Sequence, residues 1–201
     1  MKRGKFFCST FNFHYFCFLM ISVMIKIKNV FFRRFYEKAL AKKHSRVAAS
    51  VQYKEKEEVK TCLLFYVAGE EVEEAIEALQ QGMPKTKFQR LCFIPSEREV
   101  LDRLDVIYYR QNELGWKGVF ANARLEEVLS KKFDLLIDLT TNSNVFTQYV
   151  LKNSNAQCII SKNEADGFAD IVVNEMKDER EFVKKLMVLL AEISSYENGK
   201  I

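Results

Sequence analysis

The chain has 201 residues, of which 48% are hydrophobic, with seven glycines and two prolines. That is enough apolar material for one sizeable core, and the scarcity of glycine and proline argues against long linkers or low-complexity tracts. The net charge of +4 hides a division: residues 1–50 carry a balance of +10 and the remainder −6, so a basic arm precedes a mildly acidic globular domain. Of the two histidines, His14 and His44, both lie in the arm. This argues against a zinc site or a His-based acyl-transfer triad in the domain. The five cysteines form no C-x-x-C pair, and Cys62, Cys92 and Cys158 fall inside apolar strand patterns, where thiols act as small buried hydrophobes.

Phe6 to Ile25 is a run of twenty residues without Asp, Glu, Lys or Arg. Its length suits a membrane span of about 30 Å, but Ser9, Thr10, Asn12, His14 and Ser22 dilute it. No small-residue cleavage site follows it, as a signal peptide would require. An alternative is that residues 1–23 are translated upstream sequence and that Met24 is the natural start. If the run inserts, the downstream Lys26, Lys28, Arg33, Arg34, Lys38, Lys42 and Lys43 outnumber Lys2, Arg3 and Lys5, which keeps the domain cytoplasmic. Residues 24–50 form the next expected unit. From Lys26 to Arg46 the spacing of Ile27, Phe31 and Phe35 predicts a basic amphipathic helix. Lys28, Phe31, Arg33, Arg34 and Phe35 are the residues expected to meet an anionic membrane surface or a partner helix. Nucleic acid is a weaker partner, because the aromatics do not interleave with the charges.

Residues 51–201 read as a single α/β domain. Thr61–Val67 is the first strand, followed by Ala68-Gly69 and a helix with Val72, Ala75, Ile76 and Leu79 on one face. Gln89–Ile94 is the second strand. Ser96-x-x-Glu99 then has the form of a capping box for a short helix with Val100 and Leu101. Asp105–Arg110 is the third strand, Trp116 sits in a loop between Gly115 and Gly118, and Leu125, Val128 and Leu129 mark another helix. The stretch Phe133 to Thr141 reads as a central strand buried on both faces. Asn142-Ser143 is expected to cap a helix bearing Val145, Phe146, Tyr149 and Val150. Ala156–Ser161 and Ala169–Asn174 complete the strands, and the connection between them is too short for a helical crossover. An open loop or an antiparallel edge pairing must join them. Asp178-x-x-Glu181 caps a last helix with Phe182, Leu186, Leu189, Leu190 and Ile193 in its stripe. The expected architecture is a three-layer, Rossmann-like, mostly parallel sheet of about six strands with right-handed crossovers.

Ligands in open parallel sheets bind outside the carboxyl ends of the strands. Asp138, Thr140, Thr141 and Asn142 are therefore candidate ligand-binding residues, with Trp116 as a stacking candidate. Asp134 and Asp138 share a face at i, i+4, and a metal or general-base role would draw partners from Ser96, Asn112, Ser161 or Asn174. The competing reading puts Asp134 near the strand entrance and bonds Asp138 to backbone or to a cap. After the first strand the chain runs Ala68-Gly69-Glu70-Glu71-Val72-Glu73-Glu74 rather than G-x-G-x-x-G. The glutamates would repel a phosphate, and no Walker-type run occurs. The acidic face of Glu70–Glu77 is expected to be solvated. No cofactor, metal or catalytic residue is assigned.

The segment Leu114-Gly-Trp-Lys-Gly-Val-Phe-Ala-Asn-Ala-Arg, with Lys132-Phe-Asp-Leu-Leu-Ile-Asp-Leu, Ala156-Gln-Cys-Ile-Ile and Phe168-Ala-Asp-Ile-Val-Val, resembles a small uncharacterised bacterial family classed as a domain of unknown function. The resemblance runs over roughly Met24 to Ser194 and implies a cytoplasmic bacterial protein without known catalytic residues. The Phe133-Asp134 to Asp138-Leu139 pattern is also similar to the amino-terminal half of heptosyltransferase-type glycosyltransferases. That likeness implies a transferase ancestry, although no second Rossmann domain follows. Two functions result: a non-enzymatic binding or interaction module near the inner membrane surface, with a protein or small-molecule partner, or a small enzyme or degenerate transferase acting at the end of strand 133–139.

Overall fold

The structure is a computed structural model, and it describes residues 51–95, 103–115, 119–163, 167–174 and 178–198. The basic helix around Lys28, Phe31, Arg33, Arg34 and Phe35, the Ser96–Leu101 segment and Trp116 lie outside the described residues. In chain order the elements are β1 (Thr61–Val67), α1 (Glu73–Gly82), β2 (Lys87–Ile94), β3 (Val106–Arg110), α2 (Ala123–Ser130), β4 (Leu135–Asp138), α3 (Val145–Asn153), β5 (Cys158–Ser161), β6 (Ile171–Val172) and α4 (Glu179–Asn198).

All the strand pairs are parallel, and the sheet order is β3-β2-β1-β4-β5-β6. The two most apolar runs, β1 and β4, lie side by side at the centre, with Cys62 opposite Leu135 and Phe65 opposite Asp138. Five consecutive residues of β1, Cys62 to Tyr66, are buried, as a strand covered on both faces requires. Alternation of side chains then divides the core. Cys62, Leu64, Cys92, Ile94, Leu135 and Ile137 pack with Ala75, Ile76 and Leu79 of α1 and with Phe182, Leu186 and Leu190 of α4. On the opposite face Phe65, Phe93 and Tyr109 meet Phe120 and the α3 residues Phe146 and Tyr149. The β1-to-β2 and β4-to-β5 crossovers run in opposite directions and place their helices on opposite faces. Both crossovers therefore have the same hand, as the right-handed rule demands.

Several boundaries differ from the sequence reading. The central strand is confined to Leu135–Asp138, because Asp134 turns its carboxylate to the chain ahead of β1 and Thr140 begins a loop. Asn144, rather than Asn142-Ser143, caps α3: its side chain accepts the N–H groups of Phe146 and Thr147 at 2.9 and 3.1 Å. Thr147 Oγ1 completes the box by accepting the Asn144 N–H at 2.8 Å. Asp178 does cap α4, taking the Glu181 N–H at 2.8 Å. The strand expected over Ala169–Asn174 is only Ile171–Val172. It pairs parallel with Ile160 and Ser161, so the antiparallel alternative fails. A two-residue strand obliges the loop to climb back by only about 7 Å, and Asp170 anchors the return by accepting the Ile159 N–H at 2.7 Å.

The β3 edge is closed by side chains. Asn122 donates to the Tyr108 carbonyl at 3.1 Å, Glu113 accepts the Arg110 N–H at 2.8 Å, and the two side chains bond each other at 2.9 Å. Groups that would template another strand are thereby occupied. Asn122 also caps α2 through the Leu125 N–H. Gly69, directly after β1, has φ +86°, a conformation that costs other residues about 1–2 kcal/mol. Gly69→Ala is expected to lower stability by that amount. The check is a shifted denaturation midpoint with an unchanged urea m-value, since Gly69 is exposed and no packing is lost.

Candidate functional site

The sheet order reverses between β1 and β4, and this topological switch point is where an open α/β sheet offers a crevice. Two turns border it. The β1–α1 turn carries Gly69 and Glu70; the β4–α3 turn carries Thr140, Thr141 and Asn142. Glu70 spans them. One carboxylate oxygen accepts the Val67 N–H at 3.0 Å, and the other accepts the Thr141 N–H at 2.7 Å. The resident group at the switch point is thus an acidic side chain of the chain itself.

Beneath this bridge lies Asp138, 1% exposed. Its Oδ1 accepts the Thr140 N–H at 3.0 Å and its Oδ2 accepts the Ser161 hydroxyl at 2.7 Å. Asn163 ties the β4–α3 turn to the end of β5, donating to the Thr140 carbonyl and, at 3.3 Å, to Thr140 Oγ1, while its own N–H reaches Ser161 Oγ at 3.0 Å. Burial lifts the Asp138 carboxyl above its ordinary range, against the opposing pull of the Ser161 and Thr140 bonds and of Lys162. Thr140 and Ser161 are buried with it, whereas Thr141 and Asn142 are exposed. Of the suggested partners, Ser161 meets Asp138; Asn112, in the 3-10 turn Gln111–Glu113, and Asn174 are exposed.

Asp134 and Asp138 work at opposite ends of β4. Asp134 accepts the Lys60 and Thr61 N–H groups, each at 2.9 Å, and the Thr61 hydroxyl at 3.1 Å, and it pairs with Lys54. Partial burial pushes its carboxyl up, but Lys54 and the backbone donors outweigh that and hold it below its ordinary value. It pins residues 54–61 to the amino edge of the sheet, as the strand-entrance reading requires.

The acidic face of α1 is not simply solvated. Glu73 pairs with Arg90 at 3.2 Å and with Arg103 at 2.9 Å, Asp105 joins both arginines, and Glu74 pairs with Arg180 at 2.7 Å. Arg90 is a buried cation on β2, so these carboxylates compensate it and tie α1 to β2 and to α4. Cys62, Cys92 and Cys158 are buried and none is in a disulfide; burial pushes the Cys92 thiol up to about 12 and the Cys62 thiol still higher, so neither is a thiolate at neutral pH. Among the described residues no cluster of His, Cys, Asp and Glu is arranged to hold a metal ion, and no helix is long and apolar enough to cross a membrane.

Sequence reasoning missed Glu70 and Asn163. The available signal for Glu70 was its place three residues after Val67, within reach of that N–H across a glycine turn. Asn163 carried only its position two residues beyond a strand end.

The fold and this edge define an α/β protein of the Rossmann-like class, with an all-parallel open sheet and its switch point closed by Glu70. The chain belongs to a family of unknown function, DUF6913, whose model matches residues 28–193. No curated protein and no solved structure matches it. The matched range includes most of the predicted basic helix together with the sheet.

Proposed function

We propose that the chain is a non-enzymatic binding module that meets a protein or small-molecule partner on the exposed carboxyl-edge rim at Thr141 and Asn142. Trp116 belongs to this reading as a stacking side chain, and the basic segment holds the domain near the inner face of the cytoplasmic membrane. The observation that carries the proposal is the engagement of both edge carboxylates in internal bonds: Asp138 is buried under Thr140 and Ser161, and Glu70 bridges two backbone donors. What the edge offers a ligand is hydroxyl, amide and backbone groups, the usual furniture of recognition.

A thermal-shift screen of the full chain against sugar nucleotides, nucleotides and divalent cations tests the site. Asn142→Ala is expected to abolish any ligand-induced shift, and Asp138→Asn to leave it in place. The opposite pattern would assign the edge to the buried acid and favour a small transferase-like enzyme. The membrane part is tested by flotation with anionic and with neutral vesicles. Each basic residue near an anionic surface contributes about 1 kcal/mol, screened by salt. Binding to the anionic vesicles alone, released at high salt, is expected; equal recovery with neutral vesicles removes the electrostatic anchor.

A further inference from the structure

Glu70 holds a position that a ligand would otherwise take. The two N–H groups it satisfies come from different strands' ends, Val67 closing β1 and Thr141 following β4, on either side of the switch point. They are spaced for the two oxygens of one carboxylate, since one carboxylate satisfies both at 3.0 and 2.7 Å. Glu70 is only half-buried, and the Thr141 and Asn142 rim beside it is exposed, so its side chain can rotate outward without opening the core. The neighbouring negative charges do not forbid a second acid there. Glu73 and Glu74 are neutralised by Arg90, Arg103 and Arg180. The charge of a carboxylate also only replaces the one that leaves.

We infer that Glu70 is an autoinhibitory occupant of a carboxylate-binding site formed by the Val67 and Thr141 N–H groups, and that an external carboxylate ligand enters as Glu70 swings out. This rests on the reading of the carboxyl edge as the binding surface and names the chemistry that the edge accepts. The apparent affinity of such a site is reduced by the fraction of time the plug is in place. Removing the plug exposes two donors that prefer an oxyanion to water.

The experiment is chemical rescue in the full chain. Glu70→Ala is compared with wild type and with Glu71→Ala, which removes the same charge from an exposed neighbour. Acetate is set against chloride at matched ionic strength, with melting temperature and the amide signals of Val67 and Thr141 as readouts. Acetate is expected to raise the melting temperature of Glu70→Ala more than that of wild type or Glu71→Ala, and to shift both amide signals together along one saturable curve. An acetate response no larger than chloride's, or an equal response in Glu71→Ala, overturns the inference. A phosphate response larger than acetate's overturns the assignment to a carboxylate.

If Glu70→Ala does not fold, Glu70→Gln keeps the side-chain length but has one acceptor oxygen. One of the two amides is then expected to exchange about tenfold faster with solvent, the value of a lost hydrogen bond. Unchanged exchange at both sinks the plug. Rescue concerns the donor pair only, so it can succeed where the Asn142→Ala screen fails, and the two readings fall separately.

Discussion

Phe120→Ala is expected to remove about 3–5 kcal/mol of stability, the cost of deleting a buried aromatic side chain and leaving its cavity. Phe120 is 1% exposed and stands between layers rather than within an element. Its ring meets Tyr109 of β3 edge-on at 5.0 Å, Tyr149 of α3 at 4.9 Å and Phe146 at 6.4 Å. Tyr109 in turn touches Phe93 and Phe65 and donates its hydroxyl to the Phe146 carbonyl at 3.1 Å. Each such ring pair contributes about 0.5–1.5 kcal/mol beyond burial. Removing Phe120 therefore loosens the contact that seats α3, and with it the β4–α3 turn, over the sheet. The melting temperature should fall by roughly 10 °C for a chain of this size. Calorimetry and urea denaturation read the effect. Val119→Ala, an exposed neighbour, should change stability by no more than about 0.5 kcal/mol. A Phe120→Ala loss as small as that would mean that the cluster does not carry this face.

How much of this was legible depends on the range of the interaction. Thr61–Val67 was read to the residue, because a run buried on both faces needs no partner to identify it. The α1 stripe of Ala75, Ile76 and Leu79 and the α4 stripe of Phe182, Leu186 and Leu190 were equally plain, since helical periodicity is local. The strand order was not legible, and neither was the parallel sense of β6. Both are set by pairing between distant segments, and for β6 by one aspartate, Asp170, whose side chain gives no periodic signal. The aromatic cluster escaped for the same reason: Phe65, Phe93, Tyr109, Phe120 and the α3 pair Phe146 and Tyr149 come from five separate places in the chain. At the candidate site, Asp138 was located correctly at the strand end, but its burial depends on Ser161 and Asn163 from the next strand. Glu70 was hidden by a sound generalisation, that glutamates at a helix start face water, which holds for Glu71 but not for its neighbour.

Replacing Asp138 separates its shape from its charge. Asp138→Ala strands the Ser161 hydroxyl and the Thr140 N–H in a buried setting, each costing about 1–3 kcal/mol. A loss of about 3 kcal/mol or more is expected. Asp138→Asn keeps the shape, the bond to the Thr140 N–H, and a donor facing Ser161 Oγ, which can accept it. It should stay within about 1 kcal/mol of wild type at neutral pH. The pH dependence has a definite sign. With the folded carboxyl raised above its ordinary 3.8, the native state holds more protons than the unfolded chain over the interval between the two values. The stability contribution is therefore fully present below 3.8 and is lost as pH rises through the folded value. Asp134 acts on the other side of that mark. Its folded carboxyl is lowered, so its contribution is present above 3.8 and is lost as pH falls through the folded value. The difference in denaturation midpoint between wild type and Asp138→Asn, measured upward from about pH 4, isolates the Asp138 effect, because the lowered carboxyls of Asp134, Asp105 and Glu127 titrate alike in both proteins. Wild type should lose stability relative to Asp138→Asn over that range. Coincident slopes for the two proteins would mean that Asp138 is ionised throughout the interval, and that the donors of Thr140 and Ser161 outweigh its burial.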